Sequence, residues 1–315
     1  MLAEACRDGS QGKEVKLKVW FLETRPQFLL LSVVLAFLGN CIAWYEFKEF
    51  GGTFHLGYAL LAFFGLLLCH ISVNVLNDYF DYRSGIDLEV KRTPFSGGSG
   101  ILPATLLKPK QVLWLGLVSL LLAVPIGVYF VIARGWTLLP LLVVAAACTL
   151  LYTPFLTKVG WPEWAPGVGL GALPVLGTYF VQTTAYTIPA VIASIPSGIL
   201  VHNLLLLNEF PDAEADRKAG RRTLPITMGK ARAWMVYSVL TLLVYLWIIG
   251  GVVARIMPIF CLIALLTLPL AIKAIQSSRK HEEMNQLVPA MANNVLVILL
   301  TQLLLGVGYI LGRIF

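Results

Sequence analysis

Long apolar stretches dominate the chain, and short polar segments separate them. A hydrocarbon core about 30 Å thick is crossed by a helix of roughly 20 apolar residues. Stretches of that kind occur at 26–46, 56–80, 111–133, 137–156, 164–182, 186–207, 232–253, 257–275 and 288–311. The pattern therefore predicts an all-α, polytopic membrane protein with nine transmembrane helices.

Composition supports this interpretation. Hydrophobic residues make up 58% of the chain and charged residues 13%, whereas soluble domains are nearer 45–50% apolar and about 25% charged. These values exclude most soluble folds and the disordered classes. They also argue against a nucleic-acid partner, because such modules present a strongly basic surface. The expected surroundings are a lipid bilayer.

The basic residues fall unevenly on the two sides of the predicted spans. If the N-terminus lies in the cytoplasm, only four of the 24 lysines and arginines face the opposite side, namely Lys48, Arg134, Arg255 and Arg313. Cytoplasmic loops carry an excess of Lys and Arg. The distribution therefore predicts an N-in, C-out protein of the cytoplasmic (plasma) membrane, and it accounts for the net charge of +7.

Two acidic motifs follow spans 2 and 6. The first is NVLNDYFDYRSGID at 74–87, and the second is NEFPDAEAD at 208–216. Residues four apart share one face of a helix, so Asn77 and Asp81 are expected to form one stripe of oxygen atoms. A second stripe with the same spacing consists of Asn208, Asp212 and Asp216.

The chemistry of these stripes suits a metal-bound diphosphate. Carboxylate and amide oxygens are the ligands that Mg²⁺ prefers. Basic side chains next to them would help to neutralise a diphosphate. Those side chains are Arg83, Lys91 and Arg92 after the first motif, and Arg217, Lys218, Arg221 and Arg222 after the second. We therefore expect an Mg²⁺ site at the cytoplasmic ends of spans 2 and 6.

The motifs resemble those of the UbiA superfamily of intramembrane prenyltransferases. The first is similar to the family's NDxxDxxxD element and the second to its DxxxD element, which RKAGRRTLPITMG continues at 217–229. Together with RTPFSGGSG at 92–100, they are most similar to the branch that prenylates 1,4-dihydroxy-2-naphthoate. The resemblance covers nearly the whole chain. It implies one domain over 1–315, with nine helices around a central cavity and a polar cytoplasmic cap.

The resemblance also implies the parts of that domain and the roles of its residues. Residues 1–25 would form a cytoplasmic or interfacial segment, and 82–110 and 208–231 would form cap loops. The implied catalytic residues are Asn77, Asp78, Asp81, Asp212 and Asp216. The implied metal ligands are Asn77, Asp81, Asp87, Asn208, Asp212 and Asp216. The implied diphosphate contacts are Arg83, Lys91, Arg92, Tyr152, Lys158, Arg217 and Lys218.

Several polar residues are candidates for the acceptor side of the cavity. Arg25 resembles a basic residue that the family keeps at the start of span 1. His70, Asn74 and His202 lie on spans 2 and 6, where ionisable and polar groups usually face the interior of a bundle. They either line the cavity near the acceptor or bond a neighbouring helix.

Three local features modify the picture. Gly85 separates Asp81 from Asp87, so we expect Asp87 to reach the site from a turn. Pro211 removes a backbone donor and disfavours helix at the preceding residue, which predicts a kink or break in span 6. The Gly/Ser-rich segment 93–100 is either a plain flexible loop or a lid over the metal site.

The implied function is Mg²⁺-dependent transfer of a polyprenyl group, such as geranylgeranyl, from its diphosphate to an aromatic quinone precursor in menaquinone biosynthesis. A 1,4-dihydroxy-2-naphthoate-like acceptor is favoured, while 4-hydroxybenzoate, homogentisate, a porphyrin, haem and a glycerol phosphate ether remain open. A cation transporter also places carboxylates inside a bundle, but nearer the midplane and without adjacent basic residues. A CDP-alcohol phosphotransferase would carry a signature that this sequence lacks.

Overall fold

The structure is a computed structural model that describes residues 11–90 and 92–315, and within this part of the chain it contains helices and no strand. The helices are α1 (Gln11–Glu23), α2 (Pro26–Phe50), α3 (Leu56–Ser84), α4 (Ile86–Glu89), α5 (Pro109–Arg134), α6 (Leu139–Leu151), α7 (Trp164–Pro166), α8 (Leu173–Thr183), α9 (Ile188–Lys218), α10 (Leu224–Thr227), α11 (Lys230–Val253), α12 (Leu268–Ser278) and α13 (Met284–Ile314). Short 3₁₀ segments cover Trp136–Leu138, Leu156–Lys158 and Ile259–Thr267, and a π-helical segment, Gly167–Ala172, joins α7 to α8.

Eight helical stretches in the described residues are long and apolar enough to cross a membrane. They are Pro26–Phe50, Leu56–Ser84, Pro109–Arg134, Trp164–Thr183, Ile188–Lys218, Lys230–Val253, Ile259–Ser278 and Met284–Ile314. These stretches confirm eight of the predicted spans. The remaining one, 137–156, corresponds to the shorter apolar helix Trp136–Leu151. That helix ends before Pro154, since the residue that precedes a proline disfavours helix. Because the helix is shorter than the other eight, the count of nine membrane crossings stays a prediction.

The second motif lies on an unbroken helix. α9 continues from Ile188 to Lys218 through Pro211, so a break at this proline is wrong, and the kink stays a prediction. The first part of the expected cap loop 208–231 is helical. The proline ring fixes φ near −65°, which a helix accepts, but it removes one backbone hydrogen bond and crowds the carbonyl group four residues before it. Phe210 and Ala213, on either side of Pro211, are buried at 0% and 4% exposure. We attribute the continuity to this packing.

The first motif is divided between two helices. Gly85 adopts a left-handed conformation (φ 85°) and ends α3, with its N–H donating to the carbonyl oxygen of Tyr82. The chain then turns into the four-residue helix α4, which carries Asp87. Asp87 therefore approaches from a separate turn, as Gly85 predicts.

The helices pack so that α2 lies among α3, α8, α9 and α13. A large apolar core joins these helices, with fully buried side chains that include Leu35, Leu38, Val201 and Leu305. α3 packs on α5 along its other side. This arrangement brings the polar ends of α3 and α9 together at one end of the bundle, beside the turn between α1 and α2.

Candidate active site

Arg221 joins the two acidic motifs. Its Nη1 donates to Asp216 Oδ1 at 2.9 Å, and its Nη2 donates to Asp81 Oδ1. All three side chains are nearly buried, with 12% exposure or less. Burial alone lowers the pKa of the Arg221 guanidinium, but Asp81 and Asp216 outweigh it and raise that pKa above its ordinary value. The motifs therefore face each other, as the hypothesis of a shared site requires.

Asn77 and Asp81 form the predicted stripe on α3. Asn77 Nδ2 donates to Asp81 Oδ2 at 3.2 Å, one helical turn away. The same nitrogen donates to Thr153 Oγ1 at 3.1 Å. The segment that follows α6 is thus attached to the first motif.

The Gly/Ser-rich segment crosses between the motifs. The N–H of Ser99 donates to Asp78 Oδ2 at 2.7 Å, and the N–H of Gly97 donates to Asp212 Oδ2 at 3.2 Å. Gly98 has a left-handed backbone (φ 68°), and a Cβ at this position would lie 2.9 Å from Asp87 Oδ2. Only glycine fits here. Of the two interpretations of this segment, the contacts favour the one in which it covers the site.

Asp87 lies beneath this segment in a poorly solvated position. Burial, reinforced by the nearby carboxyls of Asp81 and Asp78, raises the pKa of Asp87 to about 8. A carboxyl in such surroundings gains most from a cation, because an opposite charge favours its ionised form.

The turn between α1 and α2 supplies two further charged groups. Glu23 is completely buried and accepts a hydrogen bond from Ser99 Oγ at 2.8 Å. Burial, followed by the charge of Asp78, raises the pKa of Glu23 to about 8. Arg25 Nη1 lies 3.6 Å from Asp78 Oδ1. The sequence analysis did not identify Glu23, and it placed Ser99 only within the Gly/Ser-rich segment, because their pairing joins positions 76 residues apart.

The residues present fit a Mg²⁺-bound diphosphate. Among the described residues, four oxygens of the two motifs are buried and have no hydrogen-bond partner, namely Asp78 Oδ1, Asn208 Oδ1, Glu209 Oε2 and Asp212 Oδ1. Among the described residues, His, Cys, Asp and Glu form no group of three that would hold a metal without other ligands. Mg²⁺ usually retains waters and binds one or two carboxylates together with substrate phosphates, so an open set of oxygen donors is what such a site needs.

Two of the predicted diphosphate contacts lie beside this site. Arg83 and Lys158 line a polar cavity of about 390 Å³. Asp81 and Arg221 line the same cavity, so it adjoins the junction of the motifs. The predicted contact Tyr152 instead lines a separate apolar cavity, described below.

The other predicted contacts lie farther out. Lys218 Nζ pairs with the exposed Glu89 at 2.8 Å, and Arg217 is exposed at the end of α9. Arg92 Nε donates to the carbonyl oxygen of Gly98 at 3.2 Å. Arg92 therefore holds the covering segment through its backbone. Lys91 lies outside the described residues.

An apolar cavity of about 240 Å³ opens beside the polar site. Asn77, Tyr152 and Asn208 line its polar end. From there it follows one face of α3 through Ala62, Gly65, Leu66, Cys69, His70, Val73 and Asn74. It ends among Phe130, Leu138 and Val181, whose side chains are nearly fully buried. One α3 surface thus connects the acidic motif to a long apolar chamber.

Three of the four predicted acceptor residues line this cavity: Arg25, His70 and Asn74. His70 Nδ1 is 2.8 Å from Ser32 Oγ, and Asn74 Nδ2 donates to the carbonyl oxygen of Thr24 at 3.0 Å.

His202 is not among the lining residues; its Nε2 accepts a hydrogen bond from Trp161 at 2.8 Å. Helical geometry explains the difference between the two histidines. Seven residues from His70 to Asn77 make almost two whole turns, whereas six residues from His202 to Asn208 leave the side chains about a third of a turn apart. Of the two interpretations of His202, the structure therefore favours a bond to a neighbouring segment over a place in the cavity wall.

Comparisons with known proteins agree with the fold. A model of the UbiA prenyltransferase family matches residues 30–296. The 1,4-dihydroxy-2-naphthoate octaprenyltransferase of Bacillus subtilis (strain 168) is 28% identical over 297 residues, covering 93% of this chain and 92% of that protein. A solved structure of digeranylgeranylglyceryl phosphate synthase is similar with a TM-score of 0.64 and 21% identity, covering 94% of this chain and 99% of that one. A UbiA homologue from Archaeoglobus fulgidus bound to GPP and Mg²⁺ has a TM-score of 0.55 and 13% identity, covering 89% and 99%.

Proposed function

We propose a specific reaction for this chain, which belongs to the UbiA prenyltransferase family and is therefore an integral membrane prenyltransferase. In this reaction it transfers a polyprenyl group from its diphosphate to a 1,4-dihydroxy-2-naphthoate-like acceptor. The observation that carries this proposal is the position of the two acidic motifs at the polar end of an apolar cavity. A prenyl diphosphate has the same division into a charged head and an apolar tail.

The head of the donor fits the polar end of the site. Oxygen atoms of Asn77, Asp81, Asp87, Asn208, Asp212 and Asp216 would hold Mg²⁺ and, through it, the diphosphate. Bound Mg²⁺ would neutralise negative charge that develops on the diphosphate as it departs. The GPP and Mg²⁺ in the Archaeoglobus fulgidus homologue support this assignment by analogy. Arg83 and Lys158, in the adjoining cavity, would attract the same anion.

The contacts of Asp78 suggest a positioning role rather than direct catalysis. Its Oδ2 is bonded to the backbone of Ser99. Asp78 therefore holds the covering segment over the diphosphate site.

The tail of the donor fits the apolar cavity. Its lining along α3 runs from Asn77 to Ala62, fifteen residues or about 22 Å at 1.5 Å per residue. An extended isoprene unit advances by about 5 Å, because it contains four carbon–carbon bonds of about 1.5 Å. The cavity therefore accommodates about four units, which is a geranylgeranyl group.

The reaction requires an environment without water. The allylic C–O bond breaks with its electron pair remaining on the diphosphate, and the resulting carbocation is attacked by a ring carbon of the acceptor. The ring then loses a proton or CO₂. Apolar side chains such as Val73 and Cys148, which line the cavity, exclude water that would otherwise capture the cation.

The identity of the acceptor is supported from two directions. The relative in Bacillus subtilis is named for 1,4-dihydroxy-2-naphthoate. Within this chain, Arg25, His70 and Asn74 place a cation and hydrogen-bonding groups in the cavity wall near its polar end. Such groups suit an aromatic ring that carries hydroxyl and carboxyl substituents.

The sidedness of the protein follows from charge. The acidic motifs lie at the end of the bundle to which most of the 24 basic residues are assigned. By the positive-inside rule, we place this end in the cytoplasm, with the chain oriented N-in and C-out. We further propose that residues 1–315 act as one domain, with 82–110 and 219–231 covering the site.

A direct assay tests the proposal. The purified protein is incubated with geranylgeranyl diphosphate, Mg²⁺ and one of several acceptors, which are 1,4-dihydroxy-2-naphthoate, 4-hydroxybenzoate and homogentisate. Mass spectrometry should detect a prenylated naphthalene product, which should be absent when Asp81→Asn replaces the wild type. Product formation only with another acceptor would refute the naphthoate assignment. Absence of transfer to every acceptor would refute the reaction class.

A further inference from the structure

We propose that Arg221 is an internal cation of the active site: it neutralises Asp81 and Asp216 before substrate binds, and it leaves them when a metal-bound diphosphate enters. This inference rests on the proposed function, since it assumes that the acidic motifs bind that ligand. It assigns to Arg221 a role in ordering the binding of metal and diphosphate.

The first observation is the position of the guanidinium. Asp81 is on α3 and Asp216 is on α9, and Arg221 bonds one carboxylate oxygen of each. Two carboxylates this well buried repel each other unless a cation lies between them. A guanidinium presents several donors in a rigid fork, which allows it to bridge both. Arg221 thus pairs with one carboxylate of each motif, and both carboxylates are among the groups that would hold the metal.

The second observation is that two further oxygens of the proposed ligand set have no partner among the described residues. Asp212 Oδ1 and Asn208 Oδ1 are buried and have no hydrogen-bond partner, and they lie on the same helix as Asp216. A metal that enters the site therefore finds some of its ligands available and two of its carboxylates already paired. Metal alone has to compete with a charge-assisted double contact, which is among the stronger polar interactions in proteins.

The third observation is that the Arg221 side chain adjoins a cavity into which it can rotate. It lines the polar cavity of about 390 Å³ together with Arg83 and Lys158. The segment that carries it is anchored at the next residue, where the N–H of Arg222 donates to the carbonyl oxygen of Thr157 at 2.8 Å. The side chain can therefore turn while the backbone stays. A diphosphate bound with the metal offers the released guanidinium a new anionic partner, so metal and diphosphate together displace Arg221 better than metal alone.

Metal binding without turnover tests this inference. Purified wild type, Arg221→Gln and Arg232→Gln are titrated with Mn²⁺ and followed by electron paramagnetic resonance. Arg232 is an exposed residue of α11, so its substitution removes the same charge without touching either motif. Arg221→Gln should bind Mn²⁺ at least about tenfold more tightly than wild type, because the competing hydrogen bonds to charged groups are gone. Arg232→Gln should bind Mn²⁺ as wild type does.

Thermal unfolding supplies a second readout. In EDTA, Arg221→Gln should melt at a lower temperature than wild type, since two buried carboxylates lose their partner. MgCl₂ alone should stabilise Arg221→Gln more than wild type, which should need MgCl₂ and inorganic diphosphate together. Arg221→Lys keeps the positive charge but lacks the forked donors of a guanidinium. Its Mn²⁺ affinity should therefore lie between those of wild type and Arg221→Gln. It replaces Arg221→Gln in the experiment if the glutamine variant fails to fold.

Two results distinguish the inference from the function on which it rests. In the first, MgCl₂ with diphosphate raises the melting temperature of wild type, but the Arg221 variants bind Mn²⁺ no more tightly than wild type. The internal-cation role is then wrong, while the assignment of the acidic motifs to a metal-bound diphosphate is retained. In the second, neither MgCl₂ nor MgCl₂ with diphosphate raises the melting temperature of wild type. The assignment of the acidic motifs to a metal-bound diphosphate is then itself wrong.

Discussion

The length of the prenyl tail that the protein accepts should depend on Gly65. This glycine lies in the wall of the apolar cavity on α3, twelve residues before Asn77, which is about 18 Å at 1.5 Å per residue. About three isoprene units of about 5 Å each fit between Asn77 and Gly65. We therefore expect Gly65→Leu to obstruct the fourth unit of a geranylgeranyl tail and to leave a two-unit geranyl tail almost unaffected.

The size of the effect follows from the lost burial. A Cβ at Gly65 would lie 3.1 Å from Ile126 Cγ2, so the leucine side chain has to extend into the cavity and shift its neighbour slightly. Excluding one five-carbon unit removes up to about 4 kcal/mol at about 0.8 kcal/mol per buried carbon group. Because the tail retains part of its burial elsewhere, we expect a loss of about 2 kcal/mol, or roughly 30-fold in kcat/KM.

The assay compares two donors on the same enzyme. The ratio of kcat/KM for geranylgeranyl diphosphate to that for geranyl diphosphate should fall roughly 30-fold in Gly65→Leu. Gly250→Leu is the matched control, because Gly250 lies on α11 and a Cβ there meets nothing within 4 Å. The control should keep the ratio of wild type, which separates a blocked cavity from a general effect of leucine in a spanning helix.

An unchanged ratio in Gly65→Leu would refute the placement of the tail along α3. An equal loss for both donors would refute it as well, because an obstruction about 18 Å from Asn77 cannot reach a geranyl group. Size-exclusion chromatography in detergent checks that each variant remains folded before its kinetics are interpreted.

The remaining predictions concern the polar end of the site. Asp81→Asn and Asp212→Asn should each lower turnover by at least about a hundredfold, as expected when a group that stabilises the leaving charge is removed, while the proteins stay folded; near-normal rates in both would exclude these carboxylates from the mechanism. EDTA should abolish product formation and added Mg²⁺ should restore it, as followed by mass spectrometry; transfer in EDTA would exclude a metal role. Gly98→Ala should raise KM for the prenyl diphosphate several-fold, because the left-handed backbone and the contact with Asp87 displace the covering segment; an unchanged KM would show that this segment does not shape the site.

The main features of the fold are predictable because membrane helices have a strong signal. A span of about 20 apolar residues leaves few alternatives, and eight predicted spans match helices of suitable length. The exceptions have local causes. Pro154 shortens the helix that ends at Leu151, while Pro211 is held within α9 by neighbours that the sequence does not reveal.

The active site is predictable only where one helix sets its geometry. The pairing of Asn77 with Asp81 follows from their spacing, and the same arithmetic separates His70 from His202. The link between Ser99 and Glu23 and the bridge made by Arg221 join segments 76 and 140 residues apart. No periodicity in the sequence relates such positions, because only packing of the helices brings them together.

The position of α3 explains how one site can bind both a charged diphosphate and an apolar tail. Its cavity face is apolar at Ala62 and Leu66 and becomes polar in the acidic motif, at Asn74 and Asn77. In the proposed binding mode, α3 alone would hold both the head and the tail of the donor, so the allylic carbon would keep a fixed distance from the diphosphate ligands. Rotation of α3 would misplace both at once. We therefore expect the packing of α3 on α2 and α5 to matter for catalysis even though it lies away from the reacting atoms.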